Sequence, residues 1–351
     1  MKKALKIVLW ILVAIIILAA LFLAWLTVTE YRPSEIETAE ITGASSGKAI
    51  PSGEDINLIS WNIGYSALGK ESDFIMDGGG NAPVATKEKV LEYLSGISST
   101  LNENGAAIRM LQEVDTDSSR SYGADERQSL SLSQGVHALN YSCPFVPYPW
   151  PPMGKVNSGL FTTSDYEIES SERISLPCPF SWPLRIANLK RCLLASYLPV
   201  EGSDRYLVAV NLHLEAYDSG EGKIAQTKVL CEFIESEYKK GNYVIAAGDF
   251  NQVMPGSLEI YPNEHPENWV PGILEYDSIP EGWQYAFDLN APSCRLLNQP
   301  YNPEDTANTQ YYVIDGFILS PNVELVSVET LDAQFEYSDH NPVSLTIRLA
   351  E

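Results

Sequence analysis

Between Ile7 and Val28 the chain runs 22 residues without a charge, after Lys2, Lys3 and Lys6. As a helix this stretch is about 33 Å long, which matches the hydrocarbon thickness of a bilayer. Trp10 and Trp25 sit near its two ends, where amphipathic rings prefer the membrane interface. A cleaved signal peptide has a shorter apolar core and a small-residue cleavage pattern, and neither is evident, so an uncleaved anchor is expected. Lysines before the span and acid after it predict a single-pass protein of the cell membrane. Residues 1–6 are then cytoplasmic, 7–28 the transmembrane anchor, and everything beyond extracytoplasmic. Residues 29–54 are polar, small and punctuated by proline, and read as a linker. A folded domain is expected over 55–351.

Charge narrows the partners. Setting aside Lys2, Lys3, Lys6 and Glu30, residues 31–351 carry 20 basic and 45 acidic side chains, a net of −25. A polyanion is repelled at long range by such a surface, because affinity for duplex usually comes from Lys and Arg neutralising phosphates. Nucleic acid is therefore disfavoured, and no partner protein is predicted. The five cysteines, Cys143, Cys178, Cys192, Cys231 and Cys294, show no CxxC spacing and are odd in number, which argues against a zinc site or a disulfide framework. Most read as core thiols.

Short runs rich in Val, Ile, Leu and Tyr predict strands at 56–61, 106–112, 159–164, 191–198, 205–214, 243–249, 311–319 and 344–349. Helices are predicted at 87–103 and 223–240. In the second, Ile224, Thr227, Leu230, Cys231 and Ile234 form one stripe, with Gly241 as the stop. Many strands and few helices suggest two sheets packed on each other with helices outside.

Nearly every conspicuous polar residue falls at a strand end. Asn62 closes the first strand and Glu113 follows the second; Asn211 and His213 lie in a third, and Asp249 and Asn251 end a fourth. Asp315 interrupts a fifth, and Asp339-His340 precede the last. Strand ends gathered at one sheet edge can carry a site on rigid supports. Each residue alone has a plainer reading: a strand-end Asp is more often a turn residue bonding its own backbone, and a lone Glu a solvated charge. Two of the four histidines in such settings are harder to dismiss.

Six motifs, SWNIG (60–64), LQEVD (111–115), NLHLEA (211–216), GDFNQ (248–252), IDGF (314–317) and SDHNPV (338–343), together resemble the endonuclease/exonuclease/phosphatase superfamily. That group includes deoxyribonuclease-like, neutral sphingomyelinase-like and inositol polyphosphate 5-phosphatase-like proteins, and this chain is similar to a membrane-anchored bacterial-type member. Each motif is weak, but all six occur in the family's order across about 280 residues. The resemblance implies a four-layer α/β sandwich of two mixed, mainly antiparallel sheets flanked by helices, with a cleft at one sheet edge. It implies Glu113 as main ligand of a divalent metal, usually Mg²⁺ with Mn²⁺ or Ca²⁺ as alternatives, and Asn62 and Asp339 close to the metal or its waters. Asp249 resembles the residue that orients or deprotonates the attacking water, and Asn251 a donor to a phosphate oxygen. His340 resembles a phosphate-contacting histidine held by Asp315, and His213 a proton donor to the leaving oxygen. The general base stays open between Asp249 and a histidine.

Fold does not choose the substrate. Acidity and a membrane tether favour a lipid headgroup or small phosphoester outside the cytoplasm. A nuclease of the same mechanism and a catalytically silent binding module are the alternatives, the latter weakened because every expected polar position is filled. The segment YSCPFVPYPWPPMGKVNSG (141–159) reads as a semi-rigid aromatic loop, either a packing loop or a lipid-touching lip. Lys155 and Asn157 beside it could reach a phosphate. Arg120 either faces the cleft near Glu113 or is a solvated loop arginine. Asn211 is a further candidate for substrate contact.

Overall fold

The computed structural model describes residues 2–81, 85–304 and 308–350. Met1 of the expected cytoplasmic segment, and 82–84, 305–307 and Glu351 of the expected domain, lie outside the described residues. In chain order the elements are α1 (Lys2–Val28), β1 (Ile36–Thr38), β2 (Ile41–Gly43), β3 (Ile56–Asn62), α2 (Lys87–Asn104), β4 (Ile108–Asp115), β5 (Gln134–Val146), β6 (Gly154–Ser164), β7 (Ser170–Ser175), β8 (Cys192–Pro199), β9 (Tyr206–His213), α3 (Glu221–Lys239), β10 (Tyr243–Asp249), β11 (Gln284–Ala286), β12 (Asp315–Leu319), β13 (Val323–Thr330) and β14 (Val343–Leu349), with short turns and two-residue bridges between them.

Two seven-stranded sheets form the body. One has the order β1-β7-β8-β9-β10-β12-β11 and the other β13-β14-β3-β4-β6-β5-β2. Pairing is antiparallel except at β3–β4 and β9–β10. Leu58, Met110, Ala209, Ile245, Phe317 and Leu345 meet between the sheets. On the outer faces, α2 packs Leu94, Ile97 and Leu101 on one sheet, and α3 packs Leu230 and Ile234 on the other. The result is the expected four-layer sandwich. Central strands buried on both faces read as continuous apolar runs, which is why they were legible in the sequence.

The helices end where their caps dictate. Thr86 Oγ1 accepts the Lys89 amide at 3.3 Å, and Gly105 closes α2 at φ 71°. Gly241, at φ 92°, follows α3 and donates to the Tyr238 carbonyl at 2.9 Å. Ile224 departs from the expected stripe: it is 71% exposed, while Gly222 and Lys223 beside it face inward.

Other expectations are corrected. The 29–54 linker is not a free tether, since β1 pairs with β7 in one sheet and β2 with β5 in the other. Ile50, fully buried, bridges to Val200. These short strands escaped notice because backbone pairing, rather than apolar periodicity, holds them. The segment 141–159 is a hairpin rather than a loop throughout: β5 and β6 pair down to Val146 and Gly154, and the aromatic loop is confined to 147–153. The predicted strand 311–319 is interrupted, and β12 starts at Asp315 because Ser293 Oγ takes the Ile314 and Asp315 amides, at 3.0 and 3.1 Å. All five cysteines are free thiols, with Cys143, Cys192 and Cys294 buried.

Candidate active site

The parallel pairs β3–β4 and β9–β10 end on the same side of the sandwich, and their termini deliver the polar side chains. Asp249 closes β10 opposite His213 of β9 and opposite Asp315 of β12. Gly248, at φ 150°, permits this close approach: an added Cβ would collide with the Leu212 carbonyl oxygen. Asn62 ends β3 in register with Gln112. Beyond Gln112 the ladder shifts between Leu111 and Val114, and Glu113 takes φ 57°. This bulge turns the carboxylate into the cleft instead of along the sheet face. Asn251 (φ 49°), Tyr65 (φ 40°) and Ser66 (φ 53°) share the left-handed region. Such conformations persist where surrounding structure enforces them, and they concentrate at functional sites.

One network joins the groups. Asn62 Nδ2 lies 3.1 Å from Asp249 Oδ2 and 3.4 Å from both Glu113 Oε1 and His340 Nε2. His213 Nε2 is 3.4 Å from Asp249 Oδ2, and His340 Nε2 is 3.8 Å from the same oxygen. His340 Nδ1 is 2.8 Å from Asp315 Oδ2, which also accepts Ser293 Oγ at 2.7 Å. Asn251 donates its amide N–H to Asp249 Oδ1 at 2.8 Å and its side chain to the Leu214 carbonyl at 2.9 Å. Trp61 Nε1 donates to the His340 carbonyl at 2.8 Å, and Ser338 Oγ to the Asn62 carbonyl at 2.7 Å, fixing the last loop against β3.

The electrostatics follow from burial and neighbours. Burial, reinforced by Asp315 and opposed by His340, pushes the Asp249 carboxyl up to about 7. Burial would depress His340, but Asp315 through its charge and hydrogen bond, together with Cys294 and Asp339, outweighs it and holds the imidazole well above its usual range. Burial, helped by Arg191 and His340, holds His213 well below the usual range. The buried His213 Nδ1 and Asp315 Oδ1 have no hydrogen-bond partner among the described residues.

Asp249, Asp315 and His340 offer ligand atoms within 4.8 Å of one another. His340 Nδ1 is committed to Asp315, however, so this trio is a hydrogen-bonded relay before it is a cation cage. Glu113 and Asp339 suit a cation better. Burial raises both carboxyls, Asp339 raises Glu113 further, and both border the same cavity. The two carboxylates, Asp339 buried and Glu113 half-buried, form beside the Asn62 amide an oxygen-donor set that fits a hard divalent ion.

The cavity measures about 640 Å³ and is bordered by Asn62, Glu113, His213, Asp249, Asn251, Asp339 and His340. Asp315 stands behind His340. Arg120 also borders it, but as a buried side chain rather than a solvated one. It bonds Asp115 through Nε–Oδ2 at 3.0 Å and Nη2–Oδ1 at 2.9 Å, and stacks 3.5 Å above the Tyr65 ring. Three candidates fall elsewhere. Asn211 sits between the sheets, donating to the Leu111 and Phe161 carbonyls at 3.0 and 3.2 Å and accepting Gln112 Nε2 at 2.8 Å, so its amide is consumed by the core. Lys155 is exposed and pairs with Asp117, and Asn157 Oδ1 accepts Ser142 Oγ at 2.8 Å. Neither borders the cavity, although Met153 and Ser158 on either side of them do.

Sequence reasoning missed Asp77 and Tyr217, which border the cavity and share a 3.0 Å hydrogen bond. Burial pushes Asp77 up to about 7 despite that bond. Tyr217 directly follows NLHLEA but Asp77 lies beside no motif, and only the fold brings together positions 140 apart.

No protein-family model and no curated protein matches the sequence. Solved structures do match. An endonuclease/exonuclease/phosphatase from Beutenbergia cavernae is 17% identical, with 84% of this chain and 72% of that one covered at a TM-score of 0.55. One from Bacteroides vulgatus is 15% identical, with coverage of 84% and 99% and a TM-score of 0.53. The human Nocturnin catalytic domain, solved with a bound sulfate anion, is 18% identical, with coverage of 89% and 98% and a TM-score of 0.50.

Proposed function

We propose that this chain, built on the endonuclease/exonuclease/phosphatase fold, is a membrane-anchored, divalent-metal-dependent hydrolase of phosphate esters that works outside the cytoplasm. The observation that carries the reading is the convergence of Asn62, Glu113, His213, Asp249, Asp339 and His340, from five separate segments, on one cavity. A set this dispersed has no folding reason to meet, because each buried charge costs stability unless compensated.

Glu113 and Asp339 would hold the metal, usually Mg²⁺ in this fold, with Asn62 beside them. Such an ion stabilises charge that builds on phosphate oxygens. In hydrolysis the oxygen of water bonds to phosphorus, the ester P–O bond breaks, and the departing oxygen takes a proton. Asp249 Oδ2, 3.1 Å from the Asn62 amide, is placed to orient or deprotonate that water. His340, kept cationic by Asp315, donates Nε2–H toward a phosphate oxygen. His213 lies 3.4 Å from Asp249 and can relay a proton to the leaving oxygen. A lipid headgroup or small phosphoester suits the acidic surface better than nucleic acid does.

The test is hydrolysis by the full chain in detergent of chromogenic phosphodiesters, phospholipids, plasmid DNA and RNA, with Mg²⁺ and with EDTA. Ester hydrolysis that needs metal and falls by about 10²-fold or more in His340→Ala is expected. Equal activity of that variant would overturn the site, and cleavage of nucleic acid alone the preference for a lipid headgroup or small phosphoester.

A further inference from the structure

The cavity does not stop at the polar groups. Phe22, Leu23 and Leu26 of α1 form part of its wall, together with Tyr148 and Met153 of the β5–β6 hairpin and Leu184. The end of α1 is docked on the domain. Leu26 is buried against Tyr141, Val146 and Ile186, and Phe22 meets Phe145 edge-on at 5.9 Å. Trp182 Nε1 donates to Thr27 Oγ1 at 3.2 Å, and the nearly buried Glu30 carboxylate pairs with Arg185 at 3.0 Å. The helix of membrane length and the catalytic groups therefore border one continuous space.

Phe22 lies six residues before Val28, about 9 Å back along the helix axis, at the depth of the outer acyl layer. On the segments that meet the helix the domain exposes large apolar side chains: Trp150, in the β5–β6 turn, is 83% exposed, Leu184 66% and Trp182, which bonds Thr27, 52%. Trp25 on the helix is 45% exposed. Aromatic rings grouped beside a spanning helix mark the membrane interface. A soluble phosphoester gains nothing from an apolar wall built partly of membrane helix, whereas an amphiphile does.

Resting on the phosphoesterase reading of the cleft, we infer that the substrate is a membrane amphiphile. Its phosphate ester enters the polar end, and its long alkyl or acyl chain runs between α1 and the β5–β6 hairpin into the outer leaflet. The anchor is thereby part of the binding site as well as a tether.

The test uses the full chain in phosphatidylcholine nanodiscs and a matched pair of chromogenic diesters, methyl and hexadecyl p-nitrophenyl phosphate. The hexadecyl ester is expected to show the higher kcat/KM by about tenfold or more, the ratio that roughly two buried methylenes supply. Met153→Trp, which fills the channel, should cut that hexadecyl-to-methyl ratio by about tenfold; the ratio corrects for any loss of folded protein. Independently of turnover, a phosphatidylcholine with a diazirine in its acyl chain should label residues of the 141–153 and 183–189 segments as well as α1. Equal kcat/KM for both esters, or labelling confined to α1, would overturn the inference while leaving the esterase intact. Labelling of the hairpin with neither ester hydrolysed would keep the tail channel and remove the phosphoesterase reading.

Discussion

Replacing Arg120 with methionine should destabilise the protein by about 3–5 kcal/mol, the range for removing one partner of a buried ion pair. The geometry accounts for the size. Arg120 makes two charge-assisted bonds to Asp115, at 2.9 and 3.0 Å, and its plane lies 3.5 Å from the Tyr65 ring, a contact worth about 1–2 kcal/mol when desolvated. Without the guanidinium, Asp115 loses both of those bonds and keeps Ser121 Oγ, at 3.0 Å, as a donor. Its neighbour Glu126, whose Oε2 accepts the Asp115 amide at 2.7 Å, is already raised well above the usual range by burial and by the Asp115 charge. The assay is guanidinium denaturation of the full chain in micelles, followed by tryptophan fluorescence, for Arg120→Met, Asp115→Leu and the double variant. Because the double variant leaves no orphan charge, it should recover at least about 2 kcal/mol relative to the sum of the singles. A loss under about 1 kcal/mol for Arg120→Met, or strictly additive changes, would refute the claim that this pair secures the wall beside Glu113.

Glu113→Gln should abolish metal-dependent hydrolysis, yet raise the melting temperature in EDTA, since it removes a half-buried charge that Asp339 repels; an unchanged or lower melting temperature would contradict this. Gly248→Ala should cost about 3 kcal/mol or more, because the new methyl meets the Leu212 carbonyl of the neighbouring strand, and a melting temperature within a degree of the parent would count against it. Burial holds His137 down at about 4, with Nε2 3.2 Å from the Val114 carbonyl. Its folded pKa is therefore below the unfolded 6.5, so the unfolded chain takes the proton first as pH falls. Up to about 3 kcal/mol should be lost between pH 6.5 and 4, and His137→Phe should flatten unfolding free energy across that window.

The sequence by itself determined the sandwich and pointed to most residues of the candidate site. Strands buried on both faces, such as 243–249, need unbroken apolar runs, and these are visible without coordinates. Asn62, Asp249 and Asn251 were legible because a polar cluster that ends an apolar strand must emerge at a sheet edge. The membrane-length helix was equally plain, since bilayer thickness sets a residue count. Tertiary structure alone decided how partners were shared out. Asn211 looked like a site residue, but its amide satisfies backbone carbonyls between the sheets, a demand that no local pattern reveals. Lys155 faces Asp117 because the direction of β6, not proximity in sequence, sets where it points. Asp77 and Tyr217 meet across 140 residues, and β1 and β2 are held by backbone pairing to strands more than 90 residues away. Above all, only the fold brings Phe22 and Leu26 to the same cavity as His340. Periodicity reports which face of an element is buried; it carries no information about which distant face it is buried against.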